Sequence, residues 1–185
     1  MKLSFMLTVM ALLAGVVTPK SGEAQEAPIS AMTHTHNEFT FVAKASYERV
    51  FPLFGAWEEK KWAEGWDPQF VYPTSPSDQP GMVFTIAHVG IRSVWTNTAF
   101  DATGGHVQYV YVIHDALVTL VDIHLTKVGV NETRVAVVYE RTALSPEAND
   151  HVMHLAKGDA KSGPEWEEAI NGYLAKAGKA PASSR

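Results

Sequence analysis

The 185-residue chain contains no cysteine. This absence excludes disulfide bonds, a thiol nucleophile, cysteine-ligated zinc and a lipid attached to a cysteine behind a signal segment. Without such covalent or metal cross-links, the fold must be held by the burial of apolar side chains alone. Hydrophobic residues make up 46% of the chain, which is typical of one globular domain of this length.

Charge is also sparse. Only 19% of the residues are charged, and 15 Lys and Arg against 20 Asp and Glu give a net charge of -5. No basic stretch stands out, and nucleic-acid binding needs clustered positive charge, so we predict no nucleic-acid partner.

Several catalytic motifs are missing as well. The chain has no Gly-x-Ser-x-Gly elbow, no phosphate-binding glycine loop and no dinucleotide fingerprint, so we predict no cofactor. The eight histidines include a His34-x-His36 pair and the pair His151 and His154, but no His-Glu-x-x-His pattern, so we predict no metal site. Asp122 and His124 are interpreted as a solvent-exposed pair.

The first 24 residues have the pattern of a secretory signal peptide. Lys2 precedes an apolar run over 3–17, and small residues follow at Gly22 and Ala24. The run is shorter than the roughly 20 residues that span a bilayer, although a retained N-terminal anchor is the alternative. We therefore expect cleavage after Ala24 and a secreted or periplasmic bacterial protein without stable membrane insertion.

The remaining chain divides into a flexible leader over 25–35, a domain over 36–177 and a disordered tail over 178–185. In the domain, alternating apolar residues predict strands, separated by turn residues. Helical spacing predicts a short helix from Tyr47, a second over 56–63, and a long C-terminal helix that starts at Pro146. The predicted strands are 36–43, 70–72, 82–88, 93–100, 106–113, 117–127 and 133–143.

These elements and several stretches resemble the SRPBCC superfamily, the START-like helix-grip fold that includes polyketide cyclase/dehydrase-like proteins in bacteria. The resembling stretches are "ASYERVFPLFG", "KWAEGWDPQFVYP", "SVWTNTAFDA", "HVQYVYVIH", "TRVAVVYERTALSPEAN" and "EWEEAINGYL". The resemblance implies an α+β fold in which a curved antiparallel sheet of about seven strands carries two short helices after strand 1 and the long helix above it. It further implies a cavity between sheet and helix for an apolar or aromatic ligand.

Aromatic residues are concentrated where that cavity is expected. Three tryptophans lie within residues 57–73, and they either wedge the short helices onto the sheet or close the mouth of the cavity. We favour the tyrosine-bearing face of strand 106–113 as the inward face. The predicted ligand-binding residues are Trp62, Trp66, Trp95, Tyr109, Tyr111, Tyr139 and Trp166, with Trp62 and Trp66 as the gate.

The first functional hypothesis is an exported binding protein for a lipid-like, polyketide-like or aromatic molecule. The alternative is a cyclase, dehydratase or hydrolase that acts in the same cavity through inward polar side chains. Candidates for that chemistry are His88, Asn97, Tyr109, Tyr111 and Arg141. A third hypothesis is a partner-binding module with a solid interior. The sequence leaves the catalytic residues, the ligand and the oligomeric state open.

Overall fold

The computed structural model describes residues 31–88 and 90–178, with the side chain of His88 left out. The predicted signal peptide, most of the predicted leader and nearly all of the predicted tail lie outside the described residues. The first strand begins at His34, two residues before the predicted start of the domain. Among the described residues, no helix combines the length and the apolar character needed to cross a membrane.

Seven antiparallel strands form one sheet in the order β1-β7-β6-β5-β4-β3-β2. Strands β2 to β7 follow one another as a meander because their connections are short, and β1 pairs with β7 at one edge. This arrangement confirms the predicted α+β helix-grip architecture. The strands are β1 His34–Ala43, β2 Gln69–Tyr72, β3 Val83–His88, β4 Ile91–Asp101, β5 His106–Ile113, β6 Leu117–Gly129 and β7 Glu132–Ala143.

The inner face of the sheet carries the core. On β6, Leu117, Val121 and Ile123 are buried, while Asp122 and His124 on the same strand lie on the outer face. Tyr109 and Tyr111 of β5 are buried on the inner face, as expected for the tyrosine-bearing side of that strand. Strand alternation therefore separates an aromatic interior from an outer face on which Asp122 and His124 share the surface with exposed apolar residues such as Val94 and Val112.

The segment between β1 and β2 is helical only in short pieces. Helix α1 spans Tyr47–Val50 and continues as a 3₁₀ turn over Phe51–Phe54, where Pro52 supplies no backbone donor. The predicted helix over 56–63 is a single 3₁₀ turn over Glu58–Lys61. Gly65 follows this turn with φ +76°, a left-handed backbone conformation that favours glycine.

The C-terminal helical region consists of two helices, α2 over Asn149–Asp159 and α3 over Ser162–Ala177. A 3₁₀ turn over Pro146–Ala148 precedes α2. The side chain of Asn171 on α3 accepts a hydrogen bond from the Lys44 amide (2.7 Å) and donates one to the Val42 carbonyl (3.1 Å), which fixes α3 against the end of β1.

A buried ion pair fixes α2 to the sheet. Arg141 of β7 donates from Nε and Nη2 to the two carboxylate oxygens of Asp159, both at 2.6 Å. Its Nη1 donates to the hydroxyls of Thr119 and Tyr111. Both charged side chains are less than a tenth exposed, so the pair is fully desolvated and nearly every donor of the guanidinium is used.

Replacing Asp159 with alanine leaves the Arg141 guanidinium buried without its counter-charge. We expect the free energy of unfolding to fall by about 3–5 kcal/mol, measured by urea denaturation followed by circular dichroism. Glu168→Ala, on the exposed side of α3, is the control and should change it by about 0.5 kcal/mol or less. Equal effects of the two substitutions would show that the ion pair contributes nothing to stability.

Candidate functional site

The predicted aromatic residues form one cluster between the inner sheet face and the helices. Trp95 stacks on Tyr111 with ring centroids 4.1 Å apart, and Trp66 meets Trp95 edge-on at 5.1 Å. Trp166 of α3 contacts Trp62 at 5.1 Å and Tyr139 at 6.3 Å, again edge-to-face. Such offset and edge-to-face pairs add stability beyond simple burial.

A small cavity of about 40 Å³ lies inside this cluster. It is slightly larger than the roughly 30 Å³ that one water molecule occupies in the liquid, so the roomy hollow expected from the resemblance is not present in this conformation. Its walls are Glu59, Trp66, Trp95, Tyr109, Val121, Ile123, Tyr139 and Trp166. Five of the seven predicted ligand-binding residues therefore line it.

A second hollow of about 260 Å³ opens to solvent beside the cavity, between β3, β4, β5 and helix α2. Tyr111 belongs to this outer hollow, together with apolar side chains of the sheet and Leu155 of α2. Trp66 and Trp95 line both spaces. The pair of indoles is therefore the partition between the solvent-accessible hollow and the smaller cavity.

The two predicted gate residues have different positions. The Trp66 indole N–H donates to the Ala56 carbonyl at 2.7 Å, and its backbone follows the left-handed Gly65. The Trp62 indole donates to the Leu53 carbonyl at 2.7 Å, and its ring lines neither the cavity nor the outer hollow. Only Trp66 thus occupies a gate-like position.

Glu59 is the most unusual side chain of the cavity, and the sequence analysis did not identify it. It is only 6% exposed, and it lines the aromatic cavity. Burial, with a further contribution from nearby Asp78, raises the pKa of Glu59 well above its ordinary value. Burial therefore favours the protonated, uncharged form of this carboxyl.

Further polar groups lie near Glu59. The Tyr109 hydroxyl donates to the Phe54 carbonyl at 2.9 Å, and burial raises its pKa. Asp78 accepts a hydrogen bond from the Ala56 amide at 3.1 Å, and burial raises the pKa of this second carboxyl also. The side-chain amide of Asn97 is fully buried and makes no hydrogen bond within the described part of the chain. A polar end thus adjoins the aromatic walls.

The other polar candidates have structural contacts or are not described. Arg141 and the Tyr111 hydroxyl belong to the ion-pair network beneath α2. The Arg141 guanidinium carbon lies 4.7 Å from the centroid of the Tyr139 ring. Burial raises the pKa of the Tyr139 hydroxyl. The side chain of His88 lies outside the described residues.

A larger groove of about 650 Å³ lies at the other end of the molecule, between α1 and the β4–β5 turn. Its rim carries the exposed ion pair of Glu48 and Lys127, and none of the predicted ligand-binding residues lines it. Ligand sites combine apolar walls with a few converging polar groups, so the interior cavity is the stronger candidate despite its size.

Solved structures share this architecture. A structural-genomics protein from Rhizobium loti matches with a TM-score of 0.56 at 17% identity, over 78% of this chain and 100% of the other. Norcoclaurine synthase from Thalictrum flavum, solved with dopamine and hydroxybenzaldehyde, matches at 0.59 and 11% identity over 100% of both chains. An aromatase/cyclase from a Streptomyces species matches at 0.59 and 11% identity, over 82% of this chain and 100% of the other.

These likenesses show that the chain has the fold that the resemblance implied. No family model matches the sequence, and no curated protein sequence matches it.

Replacing Glu59 with glutamine should make the stability of the fold less dependent on pH. The folded state retains a proton on Glu59 that the unfolded chain releases above its ordinary pKa, so the wild type loses stability as pH rises from there towards the raised folded pKa. Each pH unit in that window contributes at most about 1.4 kcal/mol. We expect urea denaturation to show Glu59→Gln gaining on the wild type between pH 5 and pH 8.

Glu58→Gln is the matched control, because Glu58 is the preceding glutamate and pairs with Lys61 at the surface. Its stability should follow the wild type across the same pH range. A Glu59→Gln variant that parallels both proteins would show that the carboxyl is ionised in the folded state.

Proposed function

We propose that the protein binds a small aromatic molecule that carries an amine or hydroxyl group. The ring would lie among the indoles and tyrosines, and the polar group would reach Glu59. The observation that carries this proposal is the buried Glu59 carboxyl, with its raised pKa, in the wall of an aromatic cavity.

The free-energy cost of such a carboxyl supports a functional role. Burial of a carboxyl among apolar side chains destabilises a fold by on the order of 1–3 kcal/mol unless the group is fully hydrogen-bonded. Selection for stability alone would favour an apolar side chain at Glu59, where the walls are mostly aromatic. A ligand ammonium group would supply a charged partner: the Glu59 carboxyl would release its proton to solvent, and the resulting carboxylate would form a buried, hydrogen-bonded ion pair with the ammonium.

The volume of the site supports binding coupled to a movement of Trp66. The cavity of about 40 Å³ is too small for an organic ligand, but the adjoining hollow offers about 260 Å³. Displacement of the Trp66 ring would join the two spaces and reach the lower end of the roughly 300–1,000 Å³ that ligand pockets usually have. Norcoclaurine synthase, which shares the fold, has been solved with an aromatic amine and an aromatic aldehyde bound.

A second candidate function is acid–base catalysis in the same site, of the cyclase, dehydratase or hydrolase type. The specific observation is that two neighbouring carboxyls both have raised pKa values: burial and the Asp78 charge raise the pKa of Glu59, and mainly burial raises the pKa of Asp78. A protonated carboxyl in an apolar site is suited to general acid catalysis near neutral pH. Glu59 would be the proton donor, since it lines the cavity and Asp78 does not.

Isothermal titration calorimetry with two nearly isosteric probes tests the binding proposal. We expect the wild type to bind naphthylmethylamine at least tenfold more tightly than naphthylmethanol at pH 7, because only the amine forms an ion pair with Glu59. Glu59→Gln should remove that preference and retain binding of the alcohol. Glu58→Gln is the matched control and should retain the preference.

Failure of the wild type to bind either probe, or an equal preference in Glu59→Gln and Glu58→Gln, would overturn the assignment of Glu59. Trp66→Ala provides an independent variant. If Trp66 is the partition, its removal should weaken binding of both probes alike while the circular dichroism spectrum is retained. Unchanged affinities in that variant would remove Trp66 from the site.

We further propose that the protein acts in a bacterial periplasm. The proposal rests on the positively charged, apolar and small-residue pattern of residues 1–24. Native mass spectrometry of protein from the periplasmic fraction should give a chain that begins at Gln25, together with a co-purified small molecule. A chain that retains residues 1–24 and fractionates with the membrane would show the N-terminal anchor instead.

A further inference from the structure

The outer face of the sheet carries a second cluster of chemically active side chains, on the opposite side from the cavity. His106 of β5 lies directly across from His124 of β6, and Gln108 lies across from Asp122 in the same register. Side chains that face each other in this way on antiparallel strands are close enough to share a ligand. The cluster therefore joins two adjacent strands at one surface.

Three potential metal ligands converge within this cluster. The His106 Nε2 atom donates to Asp122 Oδ1 at 2.6 Å, and His124 Nε2 donates to Asp122 Oδ2 at 3.1 Å. One ligand atom from each residue lies within 4.8 Å of the others. The two imidazole rings are parallel, with centroids 4.6 Å apart. Each histidine thus directs its own Nε2 atom towards the Asp122 carboxylate.

Supporting hydrogen bonds fix the carboxylate in this position. The Gln108 side-chain amide donates to Asp122 Oδ1 at 3.0 Å, and Gln108 Oε1 accepts a hydrogen bond from the Thr98 hydroxyl at 2.8 Å. Such outer contacts orient the ligands of protein metal sites. His124 is about half exposed, so the cluster is open to solvent and its rings have room to rotate by the small amount that metal coordination requires.

We propose that His106, Asp122 and His124 bind a divalent late first-row transition metal ion, with Zn²⁺ as the representative ion. Two neutral imidazole nitrogens and one carboxylate oxygen are a donor set that suits zinc, and water would complete the coordination at the exposed side. The bound ion would replace the protons that now link the histidines to Asp122. It would also cross-link β5 and β6 and so stabilise the sheet.

A second histidine pair on the same sheet face provides a control for the proposed metal site. His36 on β1 also lies beside a carboxylate, with its Nδ1 atom 3.4 Å from Glu140, and His34 on the same strand bonds the Thr142 hydroxyl at 2.9 Å. Their neighbourhood offers no third ligand at the same spacing, and His106, Asp122 and His124 are the one such group of three among the described residues. A site that needs all three ligands will therefore discriminate between these histidine pairs.

Calorimetric titration of the chelator-treated full chain with zinc chloride tests the proposal. We expect one ion per chain, and a loss of affinity of at least tenfold in both His106→Ala and His124→Ala. The His34→Ala/His36→Ala double variant is the matched control and should bind zinc like the wild type. Zinc should also raise the thermal midpoint of the wild type and of this control, but not of His106→Ala or His124→Ala.

Absence of saturable zinc binding to the wild type would overturn the proposal. So would a loss of binding in the His34→Ala/His36→Ala variant with wild-type affinity in His124→Ala. His124 is largely exposed, and the circular dichroism of each variant separates loss of a ligand from loss of the fold. Neither readout depends on the ligand in the interior cavity, so failure here leaves the proposed function untouched.

Discussion

The alternation of side chains along β5 and β6 is the constraint on which both proposed sites depend. On β5, Tyr109 and Tyr111 face the interior while His106 and Gln108 face outwards. A shift of one residue in the pairing would exchange these faces and would place the histidine and glutamine in the core. The buried aromatic rings fix the register, and that register aligns His106 with His124 on the outside.

Two buried carboxyls in this molecule differ in their surroundings, and the difference separates structure from function. Asp159 is charged, and the Arg141 guanidinium matches both of its oxygens. Glu59 is buried to the same extent, and the structure gives it no comparable partner among the described residues. Removal of the Asp159 side chain would therefore lower the free energy of unfolding, whereas an uncharged replacement of Glu59 would raise it. That asymmetry is why Glu59 rather than Asp159 is assigned to the site.

The sequence predicted the sheet well because its strands alternate clearly. The predicted bounds of β5 match the observed ones, and the inward tyrosine face follows from the same alternation. Glu59 was missed because it stands in "EEKK", a run that usually marks a solvated helix surface. A signal was present, since Ala56, Glu59 and Ala63 share one side of the predicted helix, and Ala56 is buried.

Other features depend on tertiary packing that a single sequence does not specify. The participation of His106 with Asp122 and His124 depends on cross-strand register, so the search for local histidine spacing did not find it. The size of the cavity depends on how the rings of Trp66, Trp95 and Trp166 interlock. Hydrophobic patterning places these residues inside but does not determine whether a void remains between them.

Whether Trp66 can act as a movable partition depends on the free-energy cost of displacing its ring and on the free energy that a bound ligand contributes. Its displacement would break one hydrogen bond, to Ala56, and edge-to-face contacts with Phe84 and Trp95. These three contacts contribute about 0.5–1.5 kcal/mol each, or roughly 1.5–4.5 kcal/mol in total. An aromatic ligand that buries on the order of 200 Å² gains about 5 kcal/mol from apolar contact alone. Because association also costs several kcal/mol of translational and rotational freedom, apolar contact alone would not hold Trp66 aside, and the polar contact with Glu59 would have to supply the rest.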